Sequence, residues 1–247
     1  MLRWVCLLLL LQGLRLLQAQ PLAPPDRAAD RWAQTILRSL TTEEKIAQLI
    51  VAPAYSATTK YGAVNDAQVE HLIREHQIGG LIFMQGSPGR QAALTNRYQR
   101  MSRIPLLISA DAEWGLAMRL DSVPELPRAM TLGAVQDEGL LYELGREMAR
   151  QCRAVGTHVN FGPVVDVNNN ASNPVINFRS FGEEREAVAR RGVALMQGLQ
   201  DGGVMACAKH FPGHGDTDTD SHFDLPVMRH SRTRLDDLEF YPFVELS

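Results

Sequence analysis

Two hydrophobic periodicities alternate along most of the chain. Short, almost continuously apolar runs are typical of strands that are buried on both faces of a parallel sheet. Stretches with apolar residues three or four positions apart predict helices that lie on such a sheet. The predicted strands are Leu49–Ala52, Ile78–Gly86, Ile104–Glu113, Thr157–Val167 and Gly203–Phe211, and the predicted helices are Ala28–Leu40, Asp66–His76, Arg90–Met101, Asp137–Ala154 and Glu183–Gln200.

Polar residues follow the predicted strands at the point where each strand ends. Barrels of the (β/α)8 type build their sites on that edge, whereas doubly wound sheets use one switch point and a Gly-rich phosphate loop. No strand here is followed by such a loop. We therefore predict an α/β fold, an incomplete (β/α)8 TIM barrel with about five of eight βα units, as the front part of a longer protein; a complete, smaller α/β domain is the alternative. The strand-end residues are Asp111 and Glu113, Asp166 and Asn168, Lys209 and His210.

The first residues differ in composition from the rest. Arg3, an apolar run from Trp4 to Leu11 and the small residue Ala19 are typical of a secretory signal peptide over residues 1–20, and the run is too short to span a bilayer. Residues 21–27 form a Pro-rich tether, and 28–247 form the folded part. We expect an exported protein, periplasmic or extracellular, with no stable membrane insertion after removal of the signal; a retained anchor is the alternative.

Composition narrows the range of partners. The chain has 247 residues, 45% of them apolar, and a formal net charge of −3. With no basic excess, we do not expect a nucleic-acid partner.

Cys152 lies in a predicted helix and Cys207 in an apolar run, so both are expected to be small buried residues without chemistry. At the start of the segment TTEEKIAQLIVAPA, Thr41 is followed three residues later by Glu44, a spacing that predicts a capping box at the start of a helix.

The segment KHFPGHGDTDTDSHFDLPV, Lys209–Val227, concentrates histidines and aspartates. Asp216, Asp218 and Asp220 occupy the first positions of a calcium-loop pattern, but Ser221 and Val227 stand where that loop requires Gly and Glu. The calcium interpretation therefore fails on two of its fixed positions.

Two other interpretations of this segment stay open on the residues alone. A loop-borne zinc site could use His210, His214 and His222 as ligands. Alternatively, the carboxylate of Asp220 could fix the tautomer of His222 and make it a general acid and base, with Lys209 and His210 binding a polar ligand. A solvated acidic turn without chemistry would show the same residues.

Five segments, in order, resemble glycoside hydrolase family 3, specifically its β-N-acetylglucosaminidase branch. The longest is KHFPGHGDTDTDSHFDLP, and the resemblance runs from about residue 30 to the last residue. Trp114 departs from the Gly usual in the family and resembles the form found in secreted proteins of Bacteroidetes type; it could stack on a sugar or simply pack. The other four segments are LTTEEKIAQL, ISADAEWGLAMRL, NFGPVVDVNNN and NPVINFRSFGEE.

The resemblance implies a (β/α)8 barrel and retaining hydrolysis through a covalent glycosyl-enzyme. It implies that Asp220 and His222 form the acid/base pair, while His214 receives no firm role. The family's nucleophilic aspartate comes late in the barrel, so we expect it beyond this chain and assign it to neither Asp236 nor Asp237. Residues matching the family's sugar-binding positions are Asp111, Arg119, Arg179, Lys209 and His210.

The resemblance thus implies a hydrolase that removes terminal β-linked N-acetylglucosamine from cell-wall muropeptides or related glycans. No cofactor and no metal is expected. In the secreted proteins that the Trp114 segment resembles, carboxy-terminal domains such as a β-lactamase-like domain often follow. The alternatives are a carbohydrate-binding protein that lacks the nucleophile and is inactive, and a zinc-dependent hydrolase. On its own this chain is expected to be inactive.

Overall fold

The computed structural model describes residues 26–60, 62–220 and 222–247. The predicted signal peptide and residues 21–25 of the tether lie outside these ranges. Among the described residues, no helix is both long enough and apolar enough to cross a membrane.

The described chain divides into two compact units, of which the first ends at Lys45. It contains α1 (Arg27–Ser39), where the Asp26 carboxylate accepts hydrogen bonds from two backbone N–H groups of the first turn. The predicted capping box is confirmed. The backbone N–H of Thr41 donates to Glu44 Oε2 at 2.8 Å, and the Glu44 N–H donates to Thr41 Oγ1 at 3.2 Å.

The second unit contains a five-stranded sheet in which every neighbouring pair is parallel. The order of the strands in space is their order in the chain, without a reversal. A doubly wound sheet would reverse at a switch point, so this order confirms the prediction of a barrel-type fold, here as an open sheet of five strands. The strands are β1 (Val51–Ala54), β2 (Gly80–Phe83), β3 (Leu107–Ala110), β4 (Val159–Asn160) and β5 (Met205–Ala206).

The last two strands are much shorter than predicted. After β4 the regular ladder is interrupted between Asn160 and Pro163, where the Cys207 N–H donates to the carbonyls of both Asn160 and Gly162. Pairing then resumes beyond it, because the Lys209 N–H donates to the Pro163 carbonyl at 3.1 Å and the Val165 N–H donates to the Lys209 carbonyl at 2.8 Å. This second stretch of pairing places Lys209 beside the chain that leads to Asp166.

The first strand begins two residues later than predicted. Leu49 and Ile50 continue the turn at the end of a helix, since their N–H groups bond to the carbonyls of Ile46 and Ala47.

The five predicted helices agree with the observed ones to within about two residues, and the predicted Asp66–His76 helix ends in a π-helical turn, Leu72–His76. The remaining helices are α2 (Thr42–Ala47), α3 (Asp66–His71), α4 (Pro88–Met101), α5 (Ala129–Leu132), α6 (Glu138–Ala154), α7 (Arg185–Asp201), α8 (Arg232–Arg234), which continues in a π-helical turn to Glu239, and α9 (Tyr241–Glu245).

Two apolar clusters form the core of this unit. One joins β1–β3 to α3 and α4, with Phe83 and Tyr98 stacked at its centre. The other joins α6 and α7 to the segments that follow β3 and β4. The two long helices approach closely at Gly145 and Gly198, where an added Cβ would overlap a backbone carbonyl of the facing helix. The second cluster underlies the residues that follow the strands.

Candidate active site

The polar residues that follow β3 and the β5 segment meet in one network of ion pairs. Lys209 Nζ lies 2.9 Å from Asp111 Oδ1 and 2.8 Å from Glu113 Oε1, so that one ammonium group bridges two carboxylates. Each carboxylate has a second cation. Arg119 Nη2 lies 2.5 Å from Asp111 Oδ2, and Arg179 binds Glu113 through two nitrogens at 2.7 and 2.9 Å.

The surrounding cations decide the protonation state of these two carboxylates. Burial alone would raise the pKa of Asp111, but the Lys209 and Arg119 cations outweigh it and lower that pKa. Burial likewise opposes ionisation of Glu113, whose side chain is 5% exposed, yet its hydrogen bonds from Arg179 and the charge of Lys209 lower its pKa. Both carboxylates are therefore ionised near neutral pH and act as hydrogen-bond acceptors.

A third carboxylate, the buried Asp166, contacts the histidines of the following turn. Its Oδ2 lies 2.6 Å from His210 Nδ1, and it also accepts the backbone N–H groups of His210 and, at 2.7 Å, His214. His210 Nε2 lies 3.1 Å from Arg179 Nη2. A guanidinium can only donate, so Nε2 accepts and Nδ1 carries the proton directed at Asp166. Asp166 thus fixes both the orientation and the tautomer of His210.

His214 lies in the same turn and is buried. Its ring Nδ1 contacts the Thr217 hydroxyl, and its backbone carbonyl accepts a hydrogen bond from Asn173 Nδ2 at 2.6 Å. The ring also packs edge-on against His210. These contacts give His214 a supporting place in the turn.

The predicted acid/base pair is in contact but lies on an exposed loop. Asp220 Oδ1 accepts both the backbone N–H of His222, at 2.9 Å, and its ring Nδ1, at 2.7 Å. The first of these hydrogen bonds is the main cause of the lowered pKa of Asp220. The His222 side chain is 74% exposed. An ionised carboxylate on Nδ1 leaves Nε2 as the nitrogen that can exchange a proton with a ligand.

A cavity of about 530 Å³ brings the loop and the ion-pair network together. Six of the predicted site residues lie on its wall, and the seventh, Asp220, contacts His222 without lining the cavity. The structure therefore collects residues that lie more than 100 positions apart in the chain. The predicted residues on the wall are Asp111, Arg119, Arg179, Lys209, His210 and His222.

Two further wall residues were singled out from the sequence with a different or open interpretation. Cys207 is exposed and lines the cavity, so its prediction as a buried residue is wrong: it directly follows β5, the edge strand of the described sheet. Cys152 is buried as predicted, and burial raises its pKa to about 12. Trp114 lines the cavity while the Arg128 guanidinium covers its ring at 3.5 Å.

Three side chains outside the cavity wall are close enough together to hold a metal ion. Within the described ranges, ligand atoms of Asp216, His230 and Glu239 lie within 4.8 Å of one another. Arg234 Nη2 lies 3.6 Å from Asp216 and 3.2 Å from Glu239, so a cation already stands between the carboxylates. We interpret this group as an ion-pair cluster of the protein itself.

The metal-ligand sets considered from the sequence are divided among different partners. His210 binds Asp166, and His222 binds Asp220. Asp216 in turn binds His230, at 2.8 Å. Neither the three histidines of the zinc interpretation nor the aspartates of the calcium pattern converge on a common point.

Two residues of the site were missed as site residues. Glu113 and Asp166 were recognised only as polar residues after strands, yet Glu113 binds two predicted sugar-binding residues and Asp166 orients His210. Their position at the strand ends was the available signal. It was not used because each partner lies dozens of residues away in the sequence.

Comparison with known proteins gives a single family. Residues 41–246 match the model of the glycosyl hydrolase family 3 N-terminal domain. A β-hexosaminidase A from Pseudoalteromonas piscicida is 35% identical over 192 residues, which are 72% of this chain and 32% of that protein. A β-hexosaminidase from Thiobacillus denitrificans is 37% identical over 67% of this chain and 49% of its own length.

A solved structure agrees with these relatives. The family 3 β-N-acetylglucosaminidase from Paenibacillus sp. has a TM-score of 0.75 and 41% identity, over 84% of this chain and 40% of that one. The chain therefore spans about a third to a half of the length of the relatives it matches.

Proposed function

Because the chain belongs to glycosyl hydrolase family 3, we propose that the protein is an exported β-N-acetylglucosaminidase that acts by retention. The relatives named β-hexosaminidase and β-N-acetylglucosaminidase support the reaction class. The leader-like composition of residues 1–20 supports export, and with it a substrate outside the cytoplasm, such as muropeptides or related glycans.

One observation carries the proposal: a histidine ring held by the Asp220 carboxylate and a cluster of fixed hydrogen-bonding groups open into the same cavity. Sugar hydroxyls both donate and accept hydrogen bonds. Asp111 offers carboxylate oxygens, while Lys209 and Arg179 offer N–H donors that are already oriented by Glu113. Such a cluster binds a sugar ring in one orientation without rearranging first.

In the first chemical step, His222 Nε2 gives its proton to the glycosidic oxygen as the bond to the anomeric carbon breaks, and Asp220 stabilises the ring through Nδ1. A carboxylate attacks the anomeric carbon from the opposite face and forms the glycosyl-enzyme. In the second step, His222 accepts a proton from the water that releases the sugar. Asp111, Glu113 and Asp166 are each held by cations or N–H groups, so we assign the attacking role to none of them.

The test uses the complete gene product and an aryl β-N-acetylglucosaminide. His222→Ala and Asp220→Ala, made separately, should each lower kcat/KM by about 10²–10⁴-fold, because general acid catalysis contributes that much. His71→Ala is the matched control, since His71 is exposed on α3 and is not part of the cavity wall. Wild-type turnover in both loop variants would refute the assignment.

A carbohydrate-binding protein without turnover is the second candidate. The favouring observation is that the binding cluster is complete, whereas each carboxylate of this cluster is already engaged. Calorimetry of the complete product with N-acetylglucosamine decides between the two. Binding without any hydrolysis of the aryl substrate would favour the carbohydrate-binding protein. A different result, loss of turnover on dialysis against a chelator, would favour the zinc-dependent hydrolase.

A further inference from the structure

The loop that carries His222 is exposed along most of its length. Between Asp216 and His230, the apolar side chains of Phe223, Leu225 and Val227 are all exposed, Phe223 by 88%. Thr217, at the base of the loop, is buried, and its carbonyl accepts a hydrogen bond from Asn170 Nδ2 at 3.5 Å. From Asp218 to Arg229 the described hydrogen bonds are local, such as those from the Phe223 and Asp224 N–H groups to the Asp220 carbonyl. Side-chain packing of these residues therefore does little to fix where His222 stands.

The two ends of the loop are tied together. Asp216 Oδ2 lies 2.8 Å from His230 Nε2, and these residues are 14 positions apart in the chain. Both side chains are largely shielded from solvent, which strengthens such a contact relative to a surface ion pair. The guanidinium of Arg234 adds a cation, 3.6 Å from the same Asp216 oxygen.

A buried carboxylate anchors this tie to the folded unit. Glu239 is 4% exposed, and its Oε1 accepts hydrogen bonds from Arg234 Nη2 at 3.2 Å and from Asn169 Nδ2 at 3.5 Å. A Cβ on Gly213 would come within 2.8 Å of the Glu239 Cβ, and Gly213 has a φ of +126° that favours glycine. Glu239 thus packs directly against the turn that leads from His210 into the loop.

We propose that Asp216, His230, Arg234 and Glu239, here called the clasp, are positioning residues that hold His222 toward the cavity. The inference rests on the proposed function, since it assigns these four residues a task in the proton transfer. The clasp touches neither the cavity wall nor His222 itself. It acts by joining the two ends of the loop through the contact of Asp216 with His230, while Arg234 links Asp216 to the buried Glu239.

This arrangement has a kinetic signature that a purely structural role lacks. A proton donor is effective only within hydrogen-bond reach of the leaving oxygen. A misplacement of about 1 Å can cost about 10²-fold in rate. A phenol that leaves readily needs little protonation, whereas a poor leaving group depends on it. Loss of a clasp contact should therefore lower kcat/KM mainly for substrates with a poor leaving group.

The experiment measures kcat/KM of the complete gene product on dinitrophenyl and unsubstituted phenyl β-N-acetylglucosaminides. Asp216→Ala and His230→Ala should lower kcat/KM about 10–100-fold on the phenyl substrate and less than about 3-fold on the dinitrophenyl substrate. His230→Gln, which keeps an N–H donor for Asp216, should recover part of the loss. Arg232→Ala is the matched control: Arg232 lies two residues from His230, is 78% exposed and pairs with Asp236 on the surface.

Equal losses on the two substrates, or none, would overturn the proposal while leaving the hydrolase activity established. Hydrogen exchange of residues 217–229 gives a readout that does not depend on activity. Exchange should become faster in Asp216→Ala and His230→Ala but not in Arg232→Ala. If the wild-type product hydrolyses neither substrate, the proposed function fails, and unchanged exchange in the variants would refute the clasp separately.

Discussion

The ion-pair network at the strand ends and the loop around His222 face the same cavity but are built differently. In the network, Lys209, Arg179 and Glu113 satisfy one another in a largely buried setting. In the loop, Asp220 and His222 depend on each other, and His222 is mostly exposed. The network suits recognition, which needs fixed groups, and the loop suits a proton donor that must meet and leave the substrate. The difference predicts which substitutions affect the free energy of unfolding and which affect only turnover.

The largest effect on stability is expected for Glu113→Ala. This change leaves Arg179 and Lys209 without the carboxylate that they share, and breaking a buried ion pair costs about 3–5 kcal/mol of unfolding free energy. Urea unfolding of the complete product measures it. Glu147→Ala is the control, because the Glu147–Arg150 pair is exposed and such pairs contribute about 1 kcal/mol or less. Similar losses of unfolding free energy in the two variants would contradict the view that the network stabilises the fold more than an exposed ion pair does.

Acid should produce a smaller loss that has the same origin. The folded-state pKa values of Asp111 and Glu113 are lowered, so their contribution to stability is complete above the ordinary carboxyl range near pH 4. It is lost as the pH falls from there through the folded-state values. Thermal unfolding between pH 7 and pH 3 should therefore show a weaker pH dependence in Asp111→Asn than in wild type. An unchanged slope would contradict the lowered pKa of Asp111.

Trp114→Ala should have an intermediate effect on both properties. The change removes the aromatic face under the Arg128 guanidinium, a contact worth about 0.5–1 kcal/mol at a partly exposed site, together with part of the cavity wall. We expect KM for the aryl substrate to rise several-fold and kcat to change less. Trp114→Phe, which keeps an aromatic ring, should recover most of the binding. A wild-type KM in Trp114→Ala would leave this ring a packing role only.

His222→Ala should have the smallest effect on stability. The side chain is exposed, and exposed substitutions away from special features change the free energy of unfolding by about 0.5 kcal/mol or less. Urea unfolding should match wild type in the same preparation that has lost its turnover. A large loss of stability would mean that the loop contributes to the core, and the contrast with the network would disappear.

The order of the βα units could be predicted from the sequence, because periodicity is a local property. The same holds for the Thr41–Glu44 capping box, whose partners are three residues apart. The strand-end positions of Asp111 and Lys209 also follow from local pattern. These residues meet because parallel strands end at one edge of a sheet.

The contacts that complete the site could not be predicted from local sequence patterns. Arg179 binds Glu113 across 66 residues, and Asp166 binds His210 across 44, and no periodicity indicates which polar residues pair at such separations. The exposure of Cys207 depends on its place directly after β5, which is the edge strand of the described sheet. The clasp was missed for the same reason as the pairings within the network: its members meet only through tertiary structure.

The sequential order of the strands also bears on how the chain assembles. The first three strands pair across 29 and 27 residues, Val51 with Gly80 and Gly80 with Leu107, and the apolar cluster that they share extends only to Ile108. A nascent polypeptide can therefore bury this cluster while the segment that carries Lys209 and His222 is still being synthesised. On stalled ribosomes, protease resistance around β1–β3 should appear before Lys209 and His222 have left the exit tunnel. Its absence would mean that the sheet forms only after synthesis has gone further.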